Sequence, residues 1–166
     1  IIFDPNKQVE FIPSGCFMFD LVSGGGFPKG RMTELFGMEQ SGKSSLLYKT
    51  FAQIQKQGKL GVFFDYESSF DPIYAKECFG LEPDSKTFIL FNPDSIEEGD
   101  TIFEELRSLE NIEMMAFDSI DSMKPKDLLE AKVDARLVAA QARSISRFIA
   151  KLKPYWRQSN CAIVMT

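Results

Sequence analysis

Eight consecutive residues, Gly37-Met38-Glu39-Gln40-Ser41-Gly42-Lys43-Ser44, carry the spacing that a polyphosphate cradle requires. The two glycines let successive backbone N–H groups turn toward one anion, where side chains would block the approach. Lys43 adds a point charge for the terminal phosphates, and the Ser44 hydroxyl is a hard oxygen donor suited to Mg²⁺. An apolar run at 32–36 precedes the motif. An amphipathic stretch at 44–54 follows it, with Leu47, Phe51 and Ile54 at i, i+4 and i+7 and Gly58 as the stop. Strand, glycine turn and helix thus come in the order a phosphate loop needs.

Two carboxylates could complete such a site. Asp118 closes the apolar run 112–117, where it can hold Mg²⁺ through water or simply cap the strand. Glu67 lies just beyond the run 60–64, where it can accept a proton from an attacking water or stand as a solvated loop carboxylate. Arg143, Arg147 and Lys151 recur at i, i+4 and i+8 and share one helix face. Such a stripe can pair with nucleic-acid phosphates or keep a helix soluble. Histidine is absent altogether, which removes Ser-His-Asp chemistry, histidine proton shuttling and nearly all zinc sites.

The elements that must position these groups are short and well punctuated. Apolar runs at 32–36, 60–64, 87–91, 112–117 and 161–165 read as strands. Between them, Asp71 as N-cap with Pro72 at the first helical position opens a helix that Gly80 closes. Ser95 and Glu98 fit a capping box before Ile102, Phe103 and Leu106. A long helix over about 134–153 carries Ile145, Phe148, Ile149 and Leu152 on one face, with Pro154 expected to end it. Five apolar strands alternating with helices predict an α/β domain with a mostly parallel sheet covered on both faces. Ligands of such sheets bind beyond the carboxyl ends of the strands, where the glycine turn, Glu67 and Asp118 all fall.

The chain has 166 residues, 44% of them apolar and 26% charged, and is the size of one domain with a proper core. It contains no run of eighteen apolar residues and no signal-peptide start, so no membrane partner is expected. A net charge of −5 gives no support for a whole-surface affinity for nucleic acid, so any DNA contact would have to come from a local basic patch. Cys16, Cys78 and Cys161 are odd in number and far apart, which predicts reduced thiols in an intracellular compartment. The first residue is Ile1, so the chain reads as a processed product or a piece of something longer.

Several separate motifs, in order, resemble the RecA family of bacterial and phage strand-exchange ATPases over nearly the whole chain. Ile12-Pro13-Ser14-Gly15, and then Asp20 through Gly24-Gly25-Gly26 to Pro28, Gly30 and Arg31, resemble the family's segment before the phosphate loop. Phe64-Asp65-Tyr66-Glu67 with Phe70-Asp71-Pro72-Ile73-Tyr74 resembles the strand with the catalytic glutamate and the adenine-side helix. Phe117-Asp118-Ser119 resembles the Walker B strand, and Gln158-Ser159-Asn160-Cys161 the approach to the next strand. The resemblance implies a P-loop NTPase three-layer sandwich that binds ATP and Mg²⁺ and hydrolyses ATP in support of homologous pairing and strand exchange. It makes Glu67 and Lys43 catalytic, Ser44 and Asp118 metal-holding, and Gly37 to Ser45, Asp71, Tyr74 and Ser119 nucleotide contacts, with the Tyr74 ring stacking on adenine.

The same resemblance implies single- and double-stranded DNA as partners, a helical filament in the intact parent protein, and a cytoplasmic setting in a bacterium or phage-infected host. Residues 123–138 correspond to the family's first DNA-binding loop and are fewer here. They carry Lys124, Lys126, Lys132 and Arg136 interleaved with Asp127, Glu130 and Asp134, a mixture that also suits a solvated charged face. The family places a basic residue at the position of Arg143; Arg136 and Arg147 are the further DNA candidates. Met38 stands where proline is usual, Gln40 where serine is usual, and Ser44-Ser45 where two threonines are usual, yet every required group remains. Residues 1–166 are expected to be the ATP-binding core alone, without the polymerisation helix, the second DNA-binding loop and the further sheet strands. Rival expectations are a RecA-fold motor or regulator of the helicase or clock type, and a non-hydrolysing module that uses nucleotide to build an assembly.

Overall fold

The computed structural model describes residues 8–83, 85–109, 111–130 and 135–166, with side chains outside 129–138. Five strands form one parallel sheet: β3 (Met32–Glu34), β4 (Leu60–Asp65), β5 (Phe88–Phe91), β6 (Ile112–Asp118) and β7 (Ala162–Met165). Before them, β1 (Phe11–Ile12) and β2 (Phe27–Pro28) pair as an antiparallel ribbon around α1 (Phe17–Ser23). The remaining helices are α2 (Lys43–Lys56), α3 (Pro72–Phe79), α4 (Ile96–Leu106), α5 (Lys126–Glu130) and α6 (Ala135–Ser159). All five expected strands are present; the two-residue strands of the ribbon carry too little pattern to be read from sequence.

The sheet order is β3-β7-β6-β4-β5. From β4 the chain steps to β5 on one side, then returns through α4 to place β6 on the other. That reversal opens a crevice at the carboxyl ends of β4 and β6, the switch point where α/β sheets bind ligands. In register there, Asp65 of β4 stands beside Asp118 of β6.

Both faces of the sheet are buried because successive strand residues point to opposite sides. Phe63, Met114, Ala116, Ala162 and Val164 pack against Leu47, Tyr48, Phe51 and Ile54 of α2 and Ala75 of α3. Val62, Phe64, Met115, Phe117, Ile163 and Met165 pack against Ile96, Phe103 and Leu106 of α4 and Phe148, Leu152 and Trp156 of α6. The result is the expected three-layer α/β sandwich. At about 1.5–3 kcal/mol per large apolar side chain buried, these two layers set the position of everything at the strand ends.

Helix α6 corrects one expectation. It continues through Pro154 to Ser159. Proline removes one backbone hydrogen bond, but its ring sits on the exposed side. The residues after it are held by packing: Trp156 is buried, and the Tyr155 ring meets Phe103 edge-on at 5.4 Å. The capping box of α4 is also only half as expected. The Ser95 hydroxyl accepts from the Glu98 N–H at 3.2 Å, but the Glu98 carboxylate reaches the N–H of Asp94, at 2.8 Å. At α3 the Asp71 cap, Pro72 and the left-handed Gly80 are all as expected.

Gly61 on β4 lets the Phe51 ring lie against the strand: a Cβ there would sit 2.4 Å from the ring. Replacing Gly61 with Ala should therefore overpack this layer and lower stability by about 1–3 kcal/mol, read as a fall in the urea midpoint at unchanged slope.

Candidate functional site

The phosphate loop runs from the end of β3 into the first turn of α2. Leu35 is tied to the sheet by its N–H, which donates to the Met165 carbonyl at 2.8 Å. Gln40 and Gly42 both take left-handed backbone conformations, with φ of 58° and 89°. Gly42 is the N-cap of α2, and no side chain caps that end. The first N–H groups of the helix and its positive dipole end therefore face the loop, which favours an anion. The Lys43 ammonium lies across the loop, donating to the carbonyls of Gly37 and Met38, each at 3.1 Å.

Ser44 and Asp118 meet at this point. The Ser44 hydroxyl donates to Asp118 Oδ2 at 2.6 Å, joining the first turn of α2 to the end of β6. Asp118 is 2% exposed, and its other oxygen, Oδ1, accepts from the Thr166 hydroxyl. A hydroxyl and a carboxylate that close together form an all-oxygen donor pair. That chemistry fits Mg²⁺ and offers nothing to metals that prefer nitrogen or sulfur.

Glu67 is exposed and turned back over the sheet end. Its Oε1 accepts from the Ser119 hydroxyl and, at 3.5 Å, from Ser122. The Asp118–Ser119 peptide is cis. The loop that carries Glu67 is organised by Asp65, which sequence reasoning passed over. Asp65 is 1% exposed; its carboxylate accepts from the N–H groups of Glu67 at 3.1 Å and Phe70 at 2.8 Å, and from Asn92 at 3.3 Å. An acidic residue closing an otherwise apolar strand is the sequence sign of that role. Burial, followed by the negative charges of Asp118, Asp65 and Asp71, pushes the Tyr48 phenol up and keeps it neutral beneath the site.

These groups open onto a cleft of about 500 Å³ lined by Glu39 through Ser45, Glu67, Tyr74 and Asp118. The Tyr74 ring is 43% exposed, stands edge-on to Phe79 at 5.2 Å, and brings its hydroxyl 3.5 Å from that of Ser45. Asp71 lies next to it but uses Oδ1 to cap α3, accepting from the N–H groups of Ile73 at 2.9 Å and Tyr74 at 3.0 Å. Gly37 and Met38 shape the loop from outside the cleft lining, and the Met38 side chain is exposed. Ser119 reaches the site through Glu67. A larger cleft of about 650 Å³, with Lys29, Arg31 and Arg157 on its walls, opens near the amino ends of β3 and β7. Neither the phosphate loop nor the paired carboxylates reach it, so the smaller cleft is the candidate site.

The DNA candidates are elsewhere. Arg143 and Arg147 are exposed on α6, and Arg147 lines a groove that α6 forms with Glu97 and Asp100 of α4. Lys151, the third cation of the stripe, is paired with Asp100 and lies 3.8 Å from Glu104, so it is already compensated. Lys132, Asp134 and the side chains of Glu130 and Arg136 lie outside the described residues.

A five-stranded parallel sheet flanked by helices, with a glycine loop at one strand end and an aspartate and a glutamate at two others, has the P-loop NTPase architecture in its RecA-like form. The comparisons with known proteins agree. The family profile described as RecA N-terminal domain matches residues 3–166, and the chain belongs to the RecA family. It is 39% identical over 158 residues to Protein RecA of Aquifex aeolicus (strain VF5), covering 95% of this chain and 45% of that protein. It is 38% identical over 159 residues to Protein RecA of Xylella fastidiosa (strain M12), covering 95% and 45%. To Protein RecA of Thermus aquaticus it is 36% identical over 161 residues, covering 96% and 46%. The chain thus spans a little under half the length of these relatives.

Gly42 has open space around its Cβ position, so a side chain there meets only the backbone penalty of φ 89°. Gly42→Ala should cost about 1–2 kcal/mol of stability. Thermal denaturation compared with an exposed Gly58→Ala control, whose φ is 69°, would give a similar loss if backbone conformation alone is responsible.

Proposed function

We propose that this chain is the ATPase core of a DNA recombinase, binding ATP with Mg²⁺ and hydrolysing it in support of homologous pairing and strand exchange. The observation that carries this reading is the convergence of Lys43, Ser44, Glu67 and Asp118 on one cleft from three separate strand ends. Backbone N–H groups of residues 37–42 and the start of α2 receive the phosphates. Lys43 exchanges the carbonyls of Gly37 and Met38 for the terminal phosphate oxygens. Ser44 and Asp118 hold Mg²⁺, which when bound neutralises charge on the phosphates.

Glu67 orients the attacking water and accepts its proton, with Ser119 and Ser122 fixing the carboxylate. Ser45 borders the phosphates, and Asp71 and Tyr74 form the adenine side, the exposed Tyr74 ring offering a stacking face. Positioning and charge stabilisation account for most of the rate in this chemistry. Arg143 and Arg147, and with them Arg136, contact DNA phosphates, single- and double-stranded, from the side of α6. The intact parent forms a helical filament in which nucleotide state and DNA affinity are coupled. The setting is the cytoplasm of a bacterium or phage-infected host; among the described residues no helix is long and apolar enough to cross a membrane.

The test is ATP turnover with and without single-stranded DNA, set beside ATP binding by calorimetry. Glu67→Gln should reduce turnover about a hundredfold or more while ATP affinity stays within a fewfold. Turnover that survives the substitution would favour a module that uses nucleotide only to assemble. A wild-type protein that unwinds duplexes without pairing homologous strands would favour a motor.

A further inference from the structure

Thr166 sits at the carboxyl end of β7 and makes three hydrogen bonds, two to the last residues of β6 and one to the turn that follows it. Its N–H donates to the Phe117 carbonyl at 3.1 Å, and its carbonyl accepts from the Ile120 N–H at 2.8 Å. Its hydroxyl donates to Asp118 Oδ1. The two backbone bonds bracket Asp118 and Ser119 from both sides. The side-chain bond is of a different kind, since no strand pairing requires it.

The consequence lies in how the Asp118 carboxylate is divided. A buried aspartate can rotate about χ2, which is a broad torsion with weak preferences of its own. With Oδ1 held by Thr166, Oδ2 is directed at Ser44, 2.6 Å away. The same bracket fixes the backbone on the far side of Ser119, whose hydroxyl donates to Glu67. Thr166 therefore bears on both the metal-type pair and the glutamate, yet it is not part of the cleft lining. Its β-branched side chain has few rotamers at a strand end, so the hydroxyl is held in place at little entropic cost.

We propose that Thr166 is a positioning residue for Asp118: its hydroxyl sets the direction of the carboxylate that holds the divalent cation. This rests on the reading of Ser44 and Asp118 as the metal-holding pair. Partners of this kind, one step removed from the metal, typically change its affinity by 10–100-fold when lost. Threonine also supplies what valine, of nearly the same shape, lacks: the donor alone separates them.

The experiment titrates Mn²⁺ into the chain with ATP present and follows free Mn²⁺ by electron paramagnetic resonance. Wild type is compared with Thr166→Val, Thr166→Ser and Asp118→Asn. Metal-independent ATP binding and the urea midpoint are measured on the same samples. Thr166→Val should weaken Mn²⁺ binding about tenfold or more, Thr166→Ser should stay within about twofold of wild type, and metal-independent ATP binding should not change. Two results would overturn the proposal while leaving Asp118 as the metal residue. One is Mn²⁺ affinity unchanged in Thr166→Val but lost in Asp118→Asn. The other is Thr166→Ser as impaired as Thr166→Val, which would make packing the cause. Wild-type Mn²⁺ affinity in Asp118→Asn would instead remove the metal reading itself, and the proposal with it.

Discussion

The hydrogen bond from Ser44 to Asp118 is the constraint on which the site depends. It joins the first turn of α2, and with it the phosphate loop, to the end of a strand two positions away in the sheet. Neither residue is near the other in sequence, and each is delivered by a different packed layer. α2 is pressed onto one face by Leu47, Phe51 and Ile54. The far end of β6 is fixed from the other face by Met115 and Phe117 against α6. The buried Asp118 carboxylate needs hydrogen-bond donors, and the half-buried Ser44 hydroxyl supplies one beside that of Thr166 only while α2 and β6 are both held in place. The two cores thus serve the chemistry by bringing one pair of oxygen atoms together.

From that pair the polar groups extend in both directions. Thr166 holds the far oxygen of Asp118, and Ser119 carries the connection on to Glu67. Asp65, in register beside Asp118, uses its buried carboxylate to shape the loop on which Glu67 stands. Every one of these residues lies at a strand end or in the turn directly after it, where the sheet stops supplying backbone partners and side chains take over. The crevice between β4 and β6 is where that transition happens on two adjacent strands at once.

Much of this was legible in the sequence because the relevant signals are local. The spacing of Gly37, Gly42, Lys43 and Ser44 is a local pattern that marks the loop between β3 and α2 as a candidate phosphate site. Apolar runs closed by Asp118, or followed by Glu67, place carboxylates at strand ends. Asp71-Pro72 with Gly80 marks both ends of α3. What escaped depends on contacts between segments distant in sequence. The role of Asp65 requires the register of β4 on β6, and that of Thr166 requires β7 beside β6. Pro154 reads locally as a stop, but the burial of Trp156 carries the helix past it. Lys151 reads as part of a basic stripe, but Asp100 on α4 neutralises it across the helix pair. In each case contacts across the fold, and not the local pattern, decide what the residue does.

The central claim is that Ser44 and Asp118 act as one unit in holding magnesium with ATP. A double-mutant cycle measures this directly: MgATP affinity by calorimetry for wild type, Ser44→Ala, Asp118→Asn and the double variant, each checked for folding by circular dichroism. The account predicts strong non-additivity, with a coupling energy of about 1–3 kcal/mol and a double variant little worse than the more damaging single one. Two additive losses, or single variants that bind MgATP as wild type does, would contradict it.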